Sequence, residues 1–315
     1  MHTVAVAGGT GHLGRTLIEA IRATGQHKVL AFSRKANAKL EAEMGVPFIA
    51  VDYANVEALT NILEEHGVHT VVSALTMMPT GDSQELSEIP LIRAANASQV
   101  TKRIISSDWG FPHVQEHVSR LSSVGPKLEA QAVLKTTNLE TTVVQNGYFM
   151  DYWGMPGVKS YMQPSTLILD IPNAAAGIPG TGDTPVIFTH TTDVARFVAA
   201  LLNSDNWDPV SYVVGDKVTW NEFLRLAEQV RGIKFEVAYD SIETLQQGKI
   251  TELPGHVPVY PFFPKEALQS VLGSIACFMA EGALNYETPT TLNERFPEIK
   301  PMTVEDMLQK AWQKA

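Results

Sequence analysis

The chain predicts an α/β fold: a doubly wound parallel sheet followed by a smaller, mixed C-terminal lobe. Three observations carry this. The first fifteen residues, MHTVAVAGGTGHLGR, pass from an apolar run (Thr3 to Ala7) through a glycine turn into a segment with apolar residues at Leu13, Leu17, Ile18 and Ile21, which is strand, turn and helix. Apolar runs and helical-period segments then alternate, and such alternation pairs strands in parallel through right-handed crossovers. The length, 315 residues, holds one large α/β domain plus a second lobe. The architecture expected is Rossmann-type over residues 1–150. A lobe over 151–315 follows, with residues 184–203 returning to the sheet.

The elements follow in order. His27 to Phe32 (HKVLAF) reads as a second buried strand, ending in Ser33, Arg34 and Lys35. Val46 to Val51 is a third, followed by Asp52, and Val56 to His66 is helical by its period. His69 to Leu75 (HTVVSAL) is a fourth strand, whose small Ser73 and Ala74 admit a close ligand. Met77 to Ser83 is a loop. Glu85 to Gln99 is helical, with Pro90 marking its first turn. Arg103 to Ser106 is a fifth strand, Lys127 to Lys135 a helix and Glu140 to Gln145 a strand closed by Asn146, Gly147, Tyr148 and Phe149. Beyond Trp153 the chain is rich in Pro, Gly and Ala, with strands at Thr166 to Asp170 and Asp183 to Thr189. Thr191 to Leu202 is an amphipathic helix that Thr191 or Thr192 would cap, with Asp193 at its positive end. A strand at Val210 to Val214 precedes a helix at Thr219 to Val230, which opens with a Thr219/Glu222 capping pair. The last helix is Val304 to Lys314.

The totals exclude several classes. A net charge of −10 disfavours a nucleic-acid or anionic-membrane partner, which needs clustered Lys and Arg. The single cysteine, Cys277, allows no internal disulfide and reads as buried and inert; no Cys/His ligand spacing is present, so no metal is expected. The first strand starts beside Met1, leaving no room for a leader, and no apolar run has membrane-spanning length. A cytoplasmic protein, monomer or homodimer, acting on a small molecule is the expectation.

The chemistry starts at the glycine turn. Gly8, Gly11 and Gly14 are spaced GxxGxxG. Glycines permit the tight turn and a close backbone approach, and the helix behind them offers free N–H groups and a positive dipole end to a pyrophosphate. The same segment puts Thr10, His12 and Leu13 at a dinucleotide. At the end of the second strand an acid would select NAD and a base the 2′-phosphate of NADP; no Asp or Glu lies between Gly25 and Lys39, while Arg34 and Lys35 do. NADPH/NADP+ is therefore the expected cofactor. Gly8, Thr10, Gly11, His12, Leu13, Gly14, Ser33, Arg34, Lys35, Asp52, Ser73, Ala74, Leu75 and Asn146 are its expected contacts.

With these residues in view, the chain resembles the NmrA-like, isoflavone-reductase-like branch of the atypical short-chain dehydrogenases/reductases. The matching stretches are GGTGHLG (Gly8 to Gly14), SRK (Ser33 to Lys35), KRIISSDWG (Lys102 to Gly110), KLEAQAVLKTTNLETTVVQNGYFMDY (Lys127 to Tyr152) and FTHTTDVARFV (Phe188 to Val198). The resemblance spans essentially the whole chain and implies an NADPH-dependent reductase of a small, often aromatic or heterocyclic metabolite. It implies that Lys127 lies near the nicotinamide ribose and the substrate, where it would hold ribose hydroxyls and bring a positive charge or a proton. None of the eight tyrosines is followed four residues later by lysine, so the Tyr-x-x-x-Lys chemistry of standard short-chain dehydrogenases is not expected. The resemblance points instead to hydride delivery to an activated C=C, C=N or C–O acceptor, with a cyclic imine or iminium ranked first. Asp108 and Tyr148 join Lys127 as candidate catalytic residues, with Trp109, Tyr152 and Trp153 as pocket candidates. The family also contains NADP(H)-binding redox sensors and non-redox cyclases, which are the alternatives.

Other residues have plainer readings. Asp108 reads equally as a helix cap or a site residue. His113 and His117, four apart with no third ligand, read as surface histidines, with His113 as proton donor a lesser option. Tyr260, Phe262 and Phe263 read as pocket wall, core packing or a subunit contact.

Overall fold

The structure, a computed structural model, describes residues 1–76 and 88–313. The expected loop at Met77 to Ser83, the start of the helix expected at Glu85 and the end of the one expected at Lys314 lie outside the described residues. The amino-terminal half runs β1 (Thr3–Ala7), α1 (His12–Ala23), β2 (Lys28–Ser33), α2 (Ala38–Met44), β3 (Phe48–Ala50), α3 (Val56–Glu65), β4 (Val68–Ser73), α4 (Glu88–Ala97), β5 (Arg103–Gly110), α5 (Val124–Leu134) and β6 (Glu140–Gln145). The remainder runs β7 (Tyr148–Phe149), α6 (Asp151–Gly154), β8 (Leu169–Asp170), β9 (Ala175–Pro179), β10 (Pro185–Thr189), α7 (Thr191–Leu201), β11 (Val210–Tyr212), β12 (Asp216–Thr219), α8 (Trp220–Arg231), β13 (Glu236–Asp240), α9 (Ile242–Gln246), α10 (Lys265–Ala280), α11 (Leu292–Arg295) and α12 (Val304–Trp312).

Seven strands form one parallel sheet in the order β11-β6-β5-β4-β1-β2-β3. The period-two geometry of β1 shows how both faces are buried. Val4 and Val6 pack with Leu17, Ile18 and Val194 on one side, and Ala5 and Ala7 with Leu59, Leu91 and Ile92 on the other. Two three-stranded sheets, β12-β10-β7 and β13-β9-β8, build the rest around an aromatic core of Trp153, Phe188, Trp220, Phe223 and Phe278. Helix α7 packs on α1, and β11 joins the edge of the large sheet beside β6; within the expected 184–203 segment, however, β10 pairs with β12 and β7 in a small sheet and not with the large one. No helix among the described residues is long and apolar enough to cross a membrane.

Several element bounds differ from the sequence expectation for physical reasons. β5 runs on to Gly110 because the pairing with β6 shifts register after Ser106 and resumes at Gly110 opposite Gln145. Asp108 therefore sits in a strand and caps no helix. Pro90 is the third described residue of α4, whose start lies outside the described residues. The α7 cap is His190, whose Nδ1 accepts from Thr192 N at 3.2 Å, rather than Thr191 or Thr192. The hydroxyl of Thr191 is already committed to Asp151 Oδ1 at 2.6 Å. Thr219 caps α8 as expected, accepting from Glu222 N at 3.1 Å.

Candidate functional site

The glycine turn crosses the C-terminal edge of the large sheet at β1, where the strand order reverses between β2 and β4. In open α/β sheets this is where ligands bind. Gly8 N and Gly9 N both donate to Phe32 O at 3.1 Å, Gly8 N also reaches the Tyr53 hydroxyl at 3.1 Å, and Gly11 N closes the turn on Gly8 O at 2.8 Å. The chain's own backbone demands two of the glycines. A Cβ on Gly14 would stand 2.2 Å from Gly8 O, and one on Gly8, which has φ +77, would stand 2.7 Å from Ala74 O. Gly11 caps α1 with no side chain of its own. The first helical turn behind it has N–H groups with no intrahelical partner, so the donor set suits a phosphate. Among the motif's side chains, Thr10 is exposed, and His12 and Leu13 are half-buried.

The end of β2 lies against this turn. Arg34 and Lys35 are exposed, and the Ser33 hydroxyl donates to Lys35 O at 2.7 Å, shaping the corner that presents them. Two adjacent cations with a clear path to solvent fit a second phosphate. Asp52 is exposed past β3, with Oδ1 accepting Ala54 N at 2.9 Å, so its carboxylate serves a local turn. Ser73 is buried at the end of β4, with Ala74 and Leu75 half-buried beyond it. The indole N–H of Trp109 donates to Ser73 O at 3.0 Å and the hydroxyl of Ser107 to Leu75 O at 2.7 Å, tying the ends of β4 and β5 together.

The second half of the site forms where α5 faces β5. Lys127 and Gln131 are one turn apart on α5 and both reach Asp108. Lys127 Nζ is 3.2 Å from Oδ1, and Gln131 Nε2 donates to Oδ2. Asp108 is fully buried, while the Lys127 side chain keeps 18% of its exposure. The same ammonium donates to Trp109 O at 3.3 Å and stands 3.3 Å from His113 Nε2. Burial first, and the Lys127 charge second, lower the His113 pKa to about 4, so its ring is neutral at pH 7 and accepts from the ammonium. The expectation that His113 is a surface residue is corrected: its side chain is 3% exposed, and its ring packs on Phe111 with centroids 4.5 Å apart.

Lys127, His113, Trp109, Phe111, Tyr148 and Tyr152 line one cavity of about 140 Å³. Burial pushes the Tyr148 phenol well above its ordinary range and that of Tyr152 up to about 12, so both stay protonated. Asn146 is fully buried just behind. Its N–H and that of Gly147 both donate to Gly110 O at 2.8 Å, and its carbonyl accepts from the Thr189 hydroxyl at 2.7 Å. Its side-chain Oδ1 has no hydrogen-bond partner among the described residues, an acceptor a ligand can use.

Some sequence candidates do not come together here. Trp153 lies in the aromatic core, its indole N–H donating to Leu169 O at 3.1 Å, and does not line this cavity. Phe262 is 88% exposed and Phe263 42%, so the Tyr260, Phe262, Phe263 cluster is neither core nor wall of this cavity. Cys277 is buried, as expected, and burial raises its thiol to about 11. Three residues escaped the sequence reading. Gln131 carried a signal, its i, i+4 spacing from Lys127. Tyr53, bonded to Gly8, and Glu88 carried none that periodicity detects. Glu88 is fully buried, its Oε1 accepting Ser107 N at 2.6 Å and its Oε2 the Ser106 hydroxyl at 3.1 Å, and burial raises its pKa. It braces β5 just before Asp108.

Comparisons with known proteins agree with this architecture. The family model of the NmrA-like family matches residues 1–308. The chain is 34% identical over 304 residues to oxidoreductase BOA1 of Botryotinia fuckeliana, covering 96% of each chain. It is 33% identical over 338 residues to oxidoreductase swnN of Metarhizium robertsii, covering 99% of this chain and 98% of that one. Among solved structures, the binary complex of leucoanthocyanidin reductase with NADPH from Vitis vinifera superposes with a TM-score of 0.74 at 18% identity, covering 99% of this chain and 100% of that one. The glycine corner at the sheet's switch point, the lysine on α5 and the match over nearly the full length converge, and the chain belongs to the NmrA-like family.

Proposed function

We propose that the chain is an NADPH-dependent reductase that delivers hydride to a small neutral acceptor, a cyclic imine or an activated C=C. The observation that carries the reading is the Lys127 ammonium, held by buried Asp108 at the wall of a cavity at the sheet's C-terminal edge. Two relatives over 30% identical are named oxidoreductases, and a protein of the same fold was solved with NADPH. Backbone N–H groups around Gly8, Gly11 and Gly14 would hold the pyrophosphate, with Thr10, His12 and Leu13 alongside. Arg34 and Lys35, at the corner set by Ser33, would hold the 2′-phosphate; Asp52 and the Ser73 to Leu75 segment would flank the nucleoside moieties, and Asn146 the nicotinamide end. NADPH, when bound, supplies the hydride. Residues 1–150 would serve the cofactor and 151–315 would cover the substrate.

Lys127 would hold the ribose hydroxyls and donate a hydrogen bond or proton to the nitrogen or oxygen on which negative charge gathers. Asp108 keeps that ammonium aimed. The Tyr148 phenol, protonated at any physiological pH, is a donor to the same atom. A permanently cationic iminium would meet Lys127 as a like charge, which favours the neutral imine or a conjugated carbonyl over it. The test is loss of reduced-nicotinamide absorbance when purified protein and NADPH meet a panel of cyclic imines, enones and benzylic ethers. Turnover abolished by Lys127→Met supports the reading; tight NADP+ binding with no turnover on any of them replaces it with a redox sensor or a cyclase.

A further inference from the structure

A second cavity, of about 560 Å³, lies between the segment after α6 and the end of α12, and Tyr152 lines both it and the Lys127 cavity. The sizes differ in a useful way. A cavity of ~150 Å³ takes one benzene, so the 140 Å³ at Lys127 takes one ring. A cavity of 560 Å³ falls within the ~300–1,000 Å³ of sites for larger small molecules.

We propose that the large cavity binds the neutral aromatic part of the substrate that does not react, while the ring bearing the reducible bond lies at Lys127; this rests on the reductase reading above. The lining sets the chemistry. Trp153, Trp312, Tyr152 and Met155 supply apolar faces. Both indole N–H groups are already used, Trp153 on Leu169 O at 3.1 Å and Trp312 on Trp153 O at 2.6 Å. The charged groups already have hydrogen-bond partners as well. Lys159 holds both carboxylate oxygens of Glu19 at 2.8 Å, and Asp170 accepts from Asn173 Nδ2 at 3.0 Å and Gly255 N at 2.7 Å. An anionic occupant would lose its hydration and meet only a lysine already held by Glu19, and a cation would meet only a carboxylate whose oxygens are already taken by Asn173 and Gly255, so the walls favour a neutral one. The Tyr152 ring stands 5.7 Å from the Tyr148 ring and 6.3 Å from that of Trp153, at the boundary of the two cavities. A substrate of two linked rings would therefore be divided at Tyr152.

The experiment uses the full chain saturated with NADP+ and titrated with N-phenyl-1-naphthylamine, a neutral fluorophore of two linked aromatic ring systems. Saturable 1:1 binding is expected, weakened about tenfold or more by Ser165→Trp, which fills the cavity from an exposed position. Unchanged NADP+ affinity in that variant reports an intact fold. Chalcone should displace the fluorophore at about tenfold lower concentration than one-ring benzylideneacetone, and Ser165→Trp should erase that difference. Equal probe affinity in wild type and variant, or no saturable binding in the wild type, overturns the proposal. Absence of NADP(H) binding alongside wild-type-specific probe binding would overturn the reductase reading while supporting the aromatic cavity site.

Discussion

The Asp108–Lys127 pair can be taken apart energetically. Asp108 has no exposure; Gln131 donates to its Oδ2, and the Lys127 ammonium stands 3.2 Å from Oδ1 as its counter-charge. Lys127→Met leaves a buried carboxylate with one neutral donor. Breaking a buried pair from one side costs about 3–5 kcal/mol, and the 18% exposure left to Lys127 puts the expected loss near the lower end, about 3 kcal/mol. Asp108→Asn keeps the shape and one acceptor, so it should cost less, about 1–2 kcal/mol. In the double variant neither charge is stranded, and the loss should fall short of the sum by about 2 kcal/mol. Urea unfolding at pH 7, with all four proteins compared at equal slope, measures this coupling. Additivity within about 0.5 kcal/mol would mean that the two groups do not interact, and the argument that Asp108 holds Lys127 in place would fail.

Three further outcomes follow from the same geometry. Because the folded-state pKa of His113 is lowered to about 4 from 6.5, the unfolded chain takes up a proton that the folded one refuses. Its contribution is therefore complete above pH 6.5 and lost as pH falls towards 4. The gap at about 1.4 kcal/mol per pH unit is worth about 3 kcal/mol, so His113→Leu should flatten the stability profile between those values, and an unchanged slope would refute it. Gly14→Ala puts a Cβ 2.2 Å from Gly8 O, a clash with backbone that cannot rotate away. About 3 kcal/mol and a fall in Tm of about 5 °C are expected by thermal unfolding. Arg34→Ala and Lys35→Ala change exposed residues and should leave Tm unmoved, while each weakens NADPH about tenfold or more by calorimetry and leaves NADH alone.

The sheet was legible because its central strands are buried on both faces and read as continuous apolar runs, as VAVA in β1 and VLAF in β2 do. The glycine corner was legible because steric demands there are absolute: no other residue fits at Gly14. Lys127 was not legible from its own helix, since on α5 it looks like any surface lysine; the family resemblance located it, and only the register shift in β5 explains why Asp108 points at it. His113 was misread because burial depends on what the chain brings from elsewhere, here Phe111 and Lys127, and no local pattern encodes that. In the small sheet β13-β9-β8, the strand expected at Thr166 to Asp170 contains β8, whereas β13, with burial running exposed, intermediate, exposed, exposed, buried, shows no apolar face and left no signal. The aromatic segment around Phe262 read as pocket wall, core packing or subunit contact because aromatic content was the only signal, and exposure has no sequence signature of its own.

The central claim is that the corner at Gly8 to Gly14 grips a dinucleotide and that Arg34 and Lys35 select the form with the additional phosphate. Calorimetry of the unmodified protein with NADPH and with NADH tests it most directly. The account predicts NADPH tighter by about a hundredfold, two charge-assisted contacts at about tenfold each. Equal affinity, a preference for NADH, or no binding of either would contradict it.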